Sequence, residues 1–236
     1  MHLPLFLEQA IEEELKNSSQ KDNARASEEL SRLYQNPNPH IRLTGDSIHN
    51  AYLAVRMPAT FAVVTRVLKE LMRHSSISLT SLLDIGSGPG TALWAAVETC
   101  PELKSAYLLE QNSSFISIAK RIAQKLTKEI NCHWQQGSIP EKFPNGQFDL
   151  VTASYVIGEL SEEHLISLLE KAWKATGQAL VFIEPGTPRG FERILLARDW
   201  LIQSGAHIAA PCPHEKQCPL AGTERWCHFS ERLSRS

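Results

Sequence analysis

Apolar positions recur first at helical spacing and then, further along the chain, in short runs separated by polar turns. Phe6, Leu7, Ala10, Ile11 and Leu15 fall on one helical stripe. Residues 16–28 are polar, a loop or a solvated helix face, and Pro37 and Pro39 punctuate the stretch before Ile41. A second helical pattern covers 47–55, and Met57-Pro58 is expected to interrupt it because proline has no amide hydrogen for a helix interior. Phe61, Val64, Leu68 and Leu71 form a further stripe up to Met72. From Ser81 the character changes. Residues 81–85, 105–109, 132–135, 148–154 and 178–183 read as strands, with 207–210 a candidate sixth. Helical patterns over 91–99, 113–130, 162–175 and 190–204 lie between or after them. Such alternation predicts an α/β fold, a mainly parallel sheet with helices on both faces.

A chain of 236 residues with 42% apolar and 21% charged residues is an ordinary globular composition. The net charge of -2 excludes a general polyanion binder, so any nucleic-acid surface is a local patch. The N-terminus starts apolar but turns acidic at once, unlike a secretion signal. No uncharged run approaches the roughly 20 apolar residues of a membrane helix. Five cysteines without a staple pattern suit a soluble protein of a reducing compartment, with no disulfide-linked partner and no membrane.

The first strand ends in Asp84-Ile85-Gly86-Ser87-Gly88-Pro89-Gly90. A dinucleotide loop needs Gly-x-Gly-x-x-Gly so that a helix N-terminus receives the pyrophosphate. Here the third glycine comes one residue early, which favours a ligand without pyrophosphate. S-adenosylmethionine fits: its sulfonium is cationic, and a carboxylate at the end of the second strand can accept from both ribose hydroxyls. Glu110 stands there. Asp84, Gly86, Ser87, Gly88, Gly90 and Glu110 are therefore the core cofactor-binding candidates. The alternative is a glycine turn that merely packs a strand on a helix.

Softer positions follow the later strands. Gly137 and Ser138 follow the third, and Ser154, Tyr155 and Glu159 follow the fourth. Asp149 is either a pocket residue or a solvated strand-start residue, and Glu159 either lines the pocket or is a helix-start acid. Glu184, before Pro185-Gly186, is either a general base for a nitrogen nucleophile or a structural cap. Glu184 and Tyr155 are the catalytic candidates. A nicotinamide dehydrogenase is disfavoured by the glycine spacing.

The tail places Cys212, Cys218 and Cys227 at C-x5-C-x8-C spacing, with His214 and His228 nearby. Zinc would take four nitrogen or sulfur ligands, a cubane iron–sulfur cluster four thiolates. The bland reading is three small buried hydrophobes. Cys100 and Cys132 read as core residues.

The glycine loop resembles motif I of class I methyltransferases. Together with Ala51-Tyr52-Leu53-Ala54-Val55-Arg56-Met57-Pro58-Ala59-Thr60-Phe61, Glu184-Pro185-Gly186-Thr187-Pro188-Arg189-Gly190-Phe191 and the cysteine tail, it resembles the methyltransferase-like protein 17 family over residues 40–236. The resemblance implies a Rossmann-like class I methyltransferase sheet, preceded by a helical region over 1–75. The S-adenosylmethionine-binding domain spans 76–210, and a metal-binding segment covers 211–236. It further implies a four-iron cluster on Cys212, Cys218 and Cys227, a small-ribosomal-subunit and ribosomal RNA partner, and a bacterial cytoplasmic or mitochondrial matrix location. Arg42, Arg56 and Arg189 become candidate phosphate contacts. The family's fourth cysteine lies beyond Ser236, and the final antiparallel strand is missing. The chain is then truncated, or the ligand is replaced by His228 or water. The expected activity is methyl transfer to a base. The rival is a non-catalytic assembly factor, favoured by Ser154-Tyr155-Val156-Ile157 standing where an Asn-Pro-Pro-Tyr-type motif would serve base methylation.

Overall fold

The computed structural model describes residues 2–16, 28, 46–74, 76–138 and 142–232. Arg42, Pro37 and Pro39 lie outside them. The first helix, α1 (Leu5–Leu15), buries Leu7, Ala10 and Ile11. Helix α2 (Asp46–Ala51) runs through one π turn (Tyr52–Arg56) straight into α3 (Met57–His74). The expected interruption at Met57-Pro58 does not occur. The Met57 N–H bonds to the Tyr52 carbonyl five residues back, and this widened turn falls where Pro58 has no hydrogen to give. The merged run Ile48–Arg73 has the length and hydropathy of a membrane span. Its Leu53, Met57, Phe61, Val64 and Leu68 are nevertheless buried in the protein core.

The α/β part follows as β1 (Ser81–Ile85), α4 (Thr91–Thr99), β2 (Ser105–Glu110), α5 (Ser113–Ala123), β3 (Asn131–Gln136), β4 (Phe148–Ser154), α6 (Glu162–Ala175), β5 (Thr176–Ile183) and α7 (Pro188–Gln203). The five strands are parallel in the order β3-β2-β1-β4-β5. Strand order reverses between β1 and β4, so a crevice opens beyond their carboxyl ends. Alternate side chains sort to the two faces, as strand geometry demands. Leu82, Leu108 and Leu150 join a core with α1, α3, α4 and α5. Leu83, Ile85, Val151 and Ala153 join another with α6 and α7. Helix α4 buries every residue from Thr91 to Ala96 and exposes only Glu98 near its end. Its Leu93 and Trp94 are fully buried, and Leu93 alone contributes about 2 kcal/mol.

Caps follow sequence chemistry. The side chains of Asn112, Ser161 and Thr187 accept from the first backbone amides of α5, α6 and α7. Two boundaries differ from the pattern. Helix α5 stops at Ala123 rather than 130, and Lys128 turns back to donate to the Cys100 and Pro101 carbonyls. Residues 207–210 form no strand: the chain leaves α7 through Gly205 at φ 90°, and His207 pairs with Glu215 at 3.1 Å. No antiparallel strand exists among the described residues.

Candidate functional site

After β1 the chain turns through Gly86, Gly88 and Gly90 at φ 67°, 53° and 83°. The amides of Gly86 and Ser87 donate to the Leu109 carbonyl at 2.9 and 3.1 Å, tying the loop to the tip of β2. A Cβ on Gly86 would stand 2.5 Å from Val156 Cγ2, so the β1 and β4 loops touch there. One on Gly90 would stand 2.9 Å from the Trp94 ring, whose Nε1 donates to the Pro89 carbonyl at 2.8 Å.

Glu110 faces this loop. Its Oε2 accepts from the Gly88 amide at 2.8 Å and its Oε1 from the Asn112 amide at 2.7 Å. Burial pushes its carboxyl up, and the amides of Asn112 and Gly88 pull it back. Asp84 is 1% exposed and accepts from the Thr152 hydroxyl at 2.8 Å. Burial drives it up to about 7, opposed by Thr152 and aided by Glu110. Asp84 Oδ2, Ser87 Oγ, Thr91 Oγ1 and Ser154 Oγ are buried without a hydrogen-bond partner in the protein. Gly137 donates to the Glu110 carbonyl at 3.1 Å, and Ser138 accepts from the Lys142 amide at 3.3 Å. Both therefore sit at the same end of the sheet.

On the β4 side, Tyr155 is the one non-glycine residue with positive φ, 61°, among the described residues. Such a conformation costs an aromatic residue about 1–3 kcal/mol. Glu184 Oε1 accepts from the Ile157 amide at 2.8 Å, and a Cβ on Gly158 would stand 2.7 Å from Oε2. Glu184 therefore acts as a cap on the short 3-10 turn Ile157–Glu159. Burial pushes it up to about 7, with Glu159 adding to the effect. Glu159 is itself raised by burial and by Glu110. Burial and Glu184 raise the Tyr155 hydroxyl, while the Arg56 charge lowers it. Of these acids Asp84 and Glu110 are buried, Glu184 half-buried and Glu159 exposed.

Asp149 is at the opposite end of the sheet. It accepts from Thr80 Oγ1 at 2.6 Å, the Thr80 amide at 2.8 Å, the Ser81 amide at 3.2 Å and Gln178 at 2.9 Å. Partial burial raises its carboxyl, but these four bonds outweigh that and hold it at about 2. It pins strand starts and does not face the crevice.

The helical region contributes residues the sequence reading missed. His49, 6% exposed, lies 3.3 Å from Asn112 Nδ2 through its Nε2. Its ring centroid lies 4.9 Å from that of Phe115, as does that of Tyr52. The Tyr52 hydroxyl is 3.6 Å from where a Gly88 Cβ would sit. The signal was present as polar and aromatic residues at 49 and 52, three apart on one helix face.

The tail packs on the loop after β5. Trp226 Nε1 donates to the Gly186 carbonyl at 3.1 Å, and His228 Cβ stands 2.9 Å from where a Cβ on Gly186 would sit. Arg198 donates to the His214 and Lys216 carbonyls at 2.8 Å each, and Arg189 to the Gly158 carbonyl at 2.9 Å. Burial raises the Cys227 thiol, and Cys212 and Cys218 raise it further. Among the described residues, however, no three His, Cys, Asp or Glu side chains converge as a metal-binding group.

A glycine turn after β1, on the parallel strand order β3-β2-β1-β4-β5, places the molecule among Rossmann-like α/β proteins. The chain belongs to the family described as mitochondrial small ribosomal subunit Rsm22, whose model matches residues 46–236. It is similar to the ribosome assembly protein METTL17, mitochondrial, of Homo sapiens. The two are 30% identical over 198 residues, 76% of this chain and 42% of that protein. It is also similar to the Rsm22-cox11 tandem protein 2, mitochondrial, of Schizosaccharomyces pombe. Identity there is 32% over 189 residues, 72% of this chain and 25% of the relative. The chain thus spans less than half the length of these curated relatives. Partial structural overlaps include the plantazolicin methyltransferase BpumL solved with SAH, at TM-score 0.49, 14% identity and coverage of 81% and 66%. Another is the mitomycin 7-O-methyltransferase MmcR, at TM-score 0.46, 15% identity and coverage of 83% and 53%. Family membership rests on the sequence matches and not on these overlaps.

Proposed function

We propose that this chain binds S-adenosylmethionine at the tips of β1, β2 and β4 and acts as a methyltransferase-like protein on the RNA of the small ribosomal subunit. The carrying observation is Glu110, held against the Gly88 amide within an acid-lined crevice. The residues fit the cofactor. The partnerless Asp84 Oδ2 is a buried acceptor suited to its ammonium group, and Glu110 can exchange its amide bonds for two ribose hydroxyls. Gly86, Ser87, Gly88 and Gly90 form the cradle, Gly137 and Ser138 border the adenine side, and Ser154 faces the reacting end. The bound cofactor would supply an electrophilic sulfonium methyl. The chain's own part is to hold and orient it and to exclude water. Calorimetry with S-adenosylmethionine tests this: wild type binds, and Glu110→Ala loses binding. Unaltered binding by the variant would overturn the site.

A second reading is a non-catalytic assembly factor. It is favoured by Glu184, whose carboxylate is committed to the Ile157 amide and therefore poorly placed as a general base, and by the human relative's being a ribosome assembly protein. A methyl-transfer assay on small-subunit particles, with a Gly88 variant as control, separates the two. In either case residues 1–75 serve as a helical region, 76–210 as the cofactor-binding domain and 211–236 as a metal-binding segment. Cys212, Cys218 and Cys227 would ligate a four-iron cluster, with zinc the alternative. Elemental and sulfide analysis of anaerobically purified protein decides this, and finding neither metal overturns it. The mitochondrial names of the relatives support a matrix location.

A further inference from the structure

The acids lining the crevice suit the cationic parts of a sulfonium amino acid but not its α-carboxylate. Asp84 and Glu110 are buried and Glu184 is half-buried, while Glu159 is exposed. An anionic group among them needs a nearby donor or cation. Arg189 is engaged with the Gly158 carbonyl, and two further donors, Tyr52 and Arg56, lie on the π turn. That turn is a widened segment of a type that recurs at functional sites, and it reaches the glycine loop through Tyr52. At one end the Tyr52 hydroxyl stands over Gly88. At the other, four residues on, the half-buried Arg56 carries its charge to Tyr155 at the tip of β4. With the ribose on Glu110 at β2 and the ammonium on Asp84 at β1, the α-carboxylate would lie near Gly88, which the Tyr52 hydroxyl approaches.

We infer that Arg56, assisted by the Tyr52 hydroxyl, binds the α-carboxylate of the cofactor. The π turn is then part of the cofactor site rather than a contact for RNA phosphate. A guanidinium presents paired N–H donors that match a carboxylate, which an ammonium does not. The inference rests on the cofactor reading above and deepens it.

The test compares two ligands by calorimetry: S-adenosylhomocysteine, which has the amino-acid end, and 5′-methylthioadenosine, which lacks it. Arg56→Gln is expected to weaken the first by about tenfold or more, as loss of a charge-assisted bond does. It should leave the second within about twofold, the change a lost contact worth under 0.5 kcal/mol would give. Arg56→Lys should recover part of the loss, and Tyr52→Phe should show a smaller defect confined to the same ligand. Equal weakening of both ligands in Arg56→Gln and Arg56→Lys would make the residue structural and overturn the inference. So would unchanged binding of S-adenosylhomocysteine while methylthioadenosine still binds. Wild-type protein that binds neither ligand would sink the cofactor reading itself, and this inference with it.

Discussion

Thr152 Oγ1 donates to Asp84 Oδ1 at 2.8 Å across neighbouring strands, leaving the other oxygen of the same buried carboxyl without a partner in the protein. Burial makes this carboxyl resist ionisation against the pull of the Thr152 bond, and its value of about 7 makes it a pH-dependent load on the fold. Between its ordinary 3.8 and about 7 the folded state holds a proton that the unfolded state releases. The stability from this proton is fully present below the ordinary value and lost as pH rises through about 7. Asp84→Asn keeps the Thr152 bond and removes the titration. It should gain at least about 1 kcal/mol over wild type at about pH 8 relative to about pH 5, while losing cofactor affinity. Urea unfolding at the two pH values checks this, and a gap independent of pH would refute it.

Asp149 has the opposite sign. Its value of about 2 lies below the ordinary 3.8. Its contribution is present above the ordinary value and lost as pH falls through about 2. Asp149→Asn should cost about 1 kcal/mol near neutrality, the partial exposure of the carboxylate limiting the figure. The deficit should shrink in acid, and ligand affinity should stay unchanged because the residue lies at the far end of the sheet. Denaturant melts across acid pH, with calorimetry alongside, read both effects.

Gly86→Ala meets two obstacles: a positive φ of 67° and Val156 Cγ2 at 2.5 Å. Together they should cost about 2–4 kcal/mol. Adding Val156→Ala relieves only the steric part, so the double variant should recover some but not all of the loss. Full recovery in thermal melts would show that backbone conformation contributes nothing.

Arg198 holds the 212–218 segment through two carbonyls while its own side chain is 12% exposed. Arg198→Ala should release that segment and speed tryptic cleavage at Lys216 and Arg225. The melting of the α/β core should fall by no more than about 1–2 kcal/mol. A tail that stays equally resistant would place its anchoring elsewhere, on Trp226 and His228.

Much of the architecture was readable from spacing. The strand Phe148–Ser154 and the helix Glu162–Ala175 appear where their periods place them. The Asp84 loop and Glu110 emerge on the same crevice because successive parallel strands must end side by side. Helix α5 and residues 207–210 were misjudged where apolar residues continue past the point at which a turn wins. The π turn was missed because a proline in a helical pattern looks like a stop until a widened turn absorbs it.

From the sequence alone came the local periods, the glycine spacing and the carboxylate at the next strand end, since all are set by neighbours along the chain. Tertiary packing decided three further points: Asp149 is a pin, Glu184 a cap, and Tyr52 approaches Gly88. Each depends on partners tens of residues distant, such as Thr80 for Asp149 and Gly88 for Tyr52. A side chain's chemistry is fixed by its type, but its role is set by what folding brings within hydrogen-bond reach and by how much water remains there.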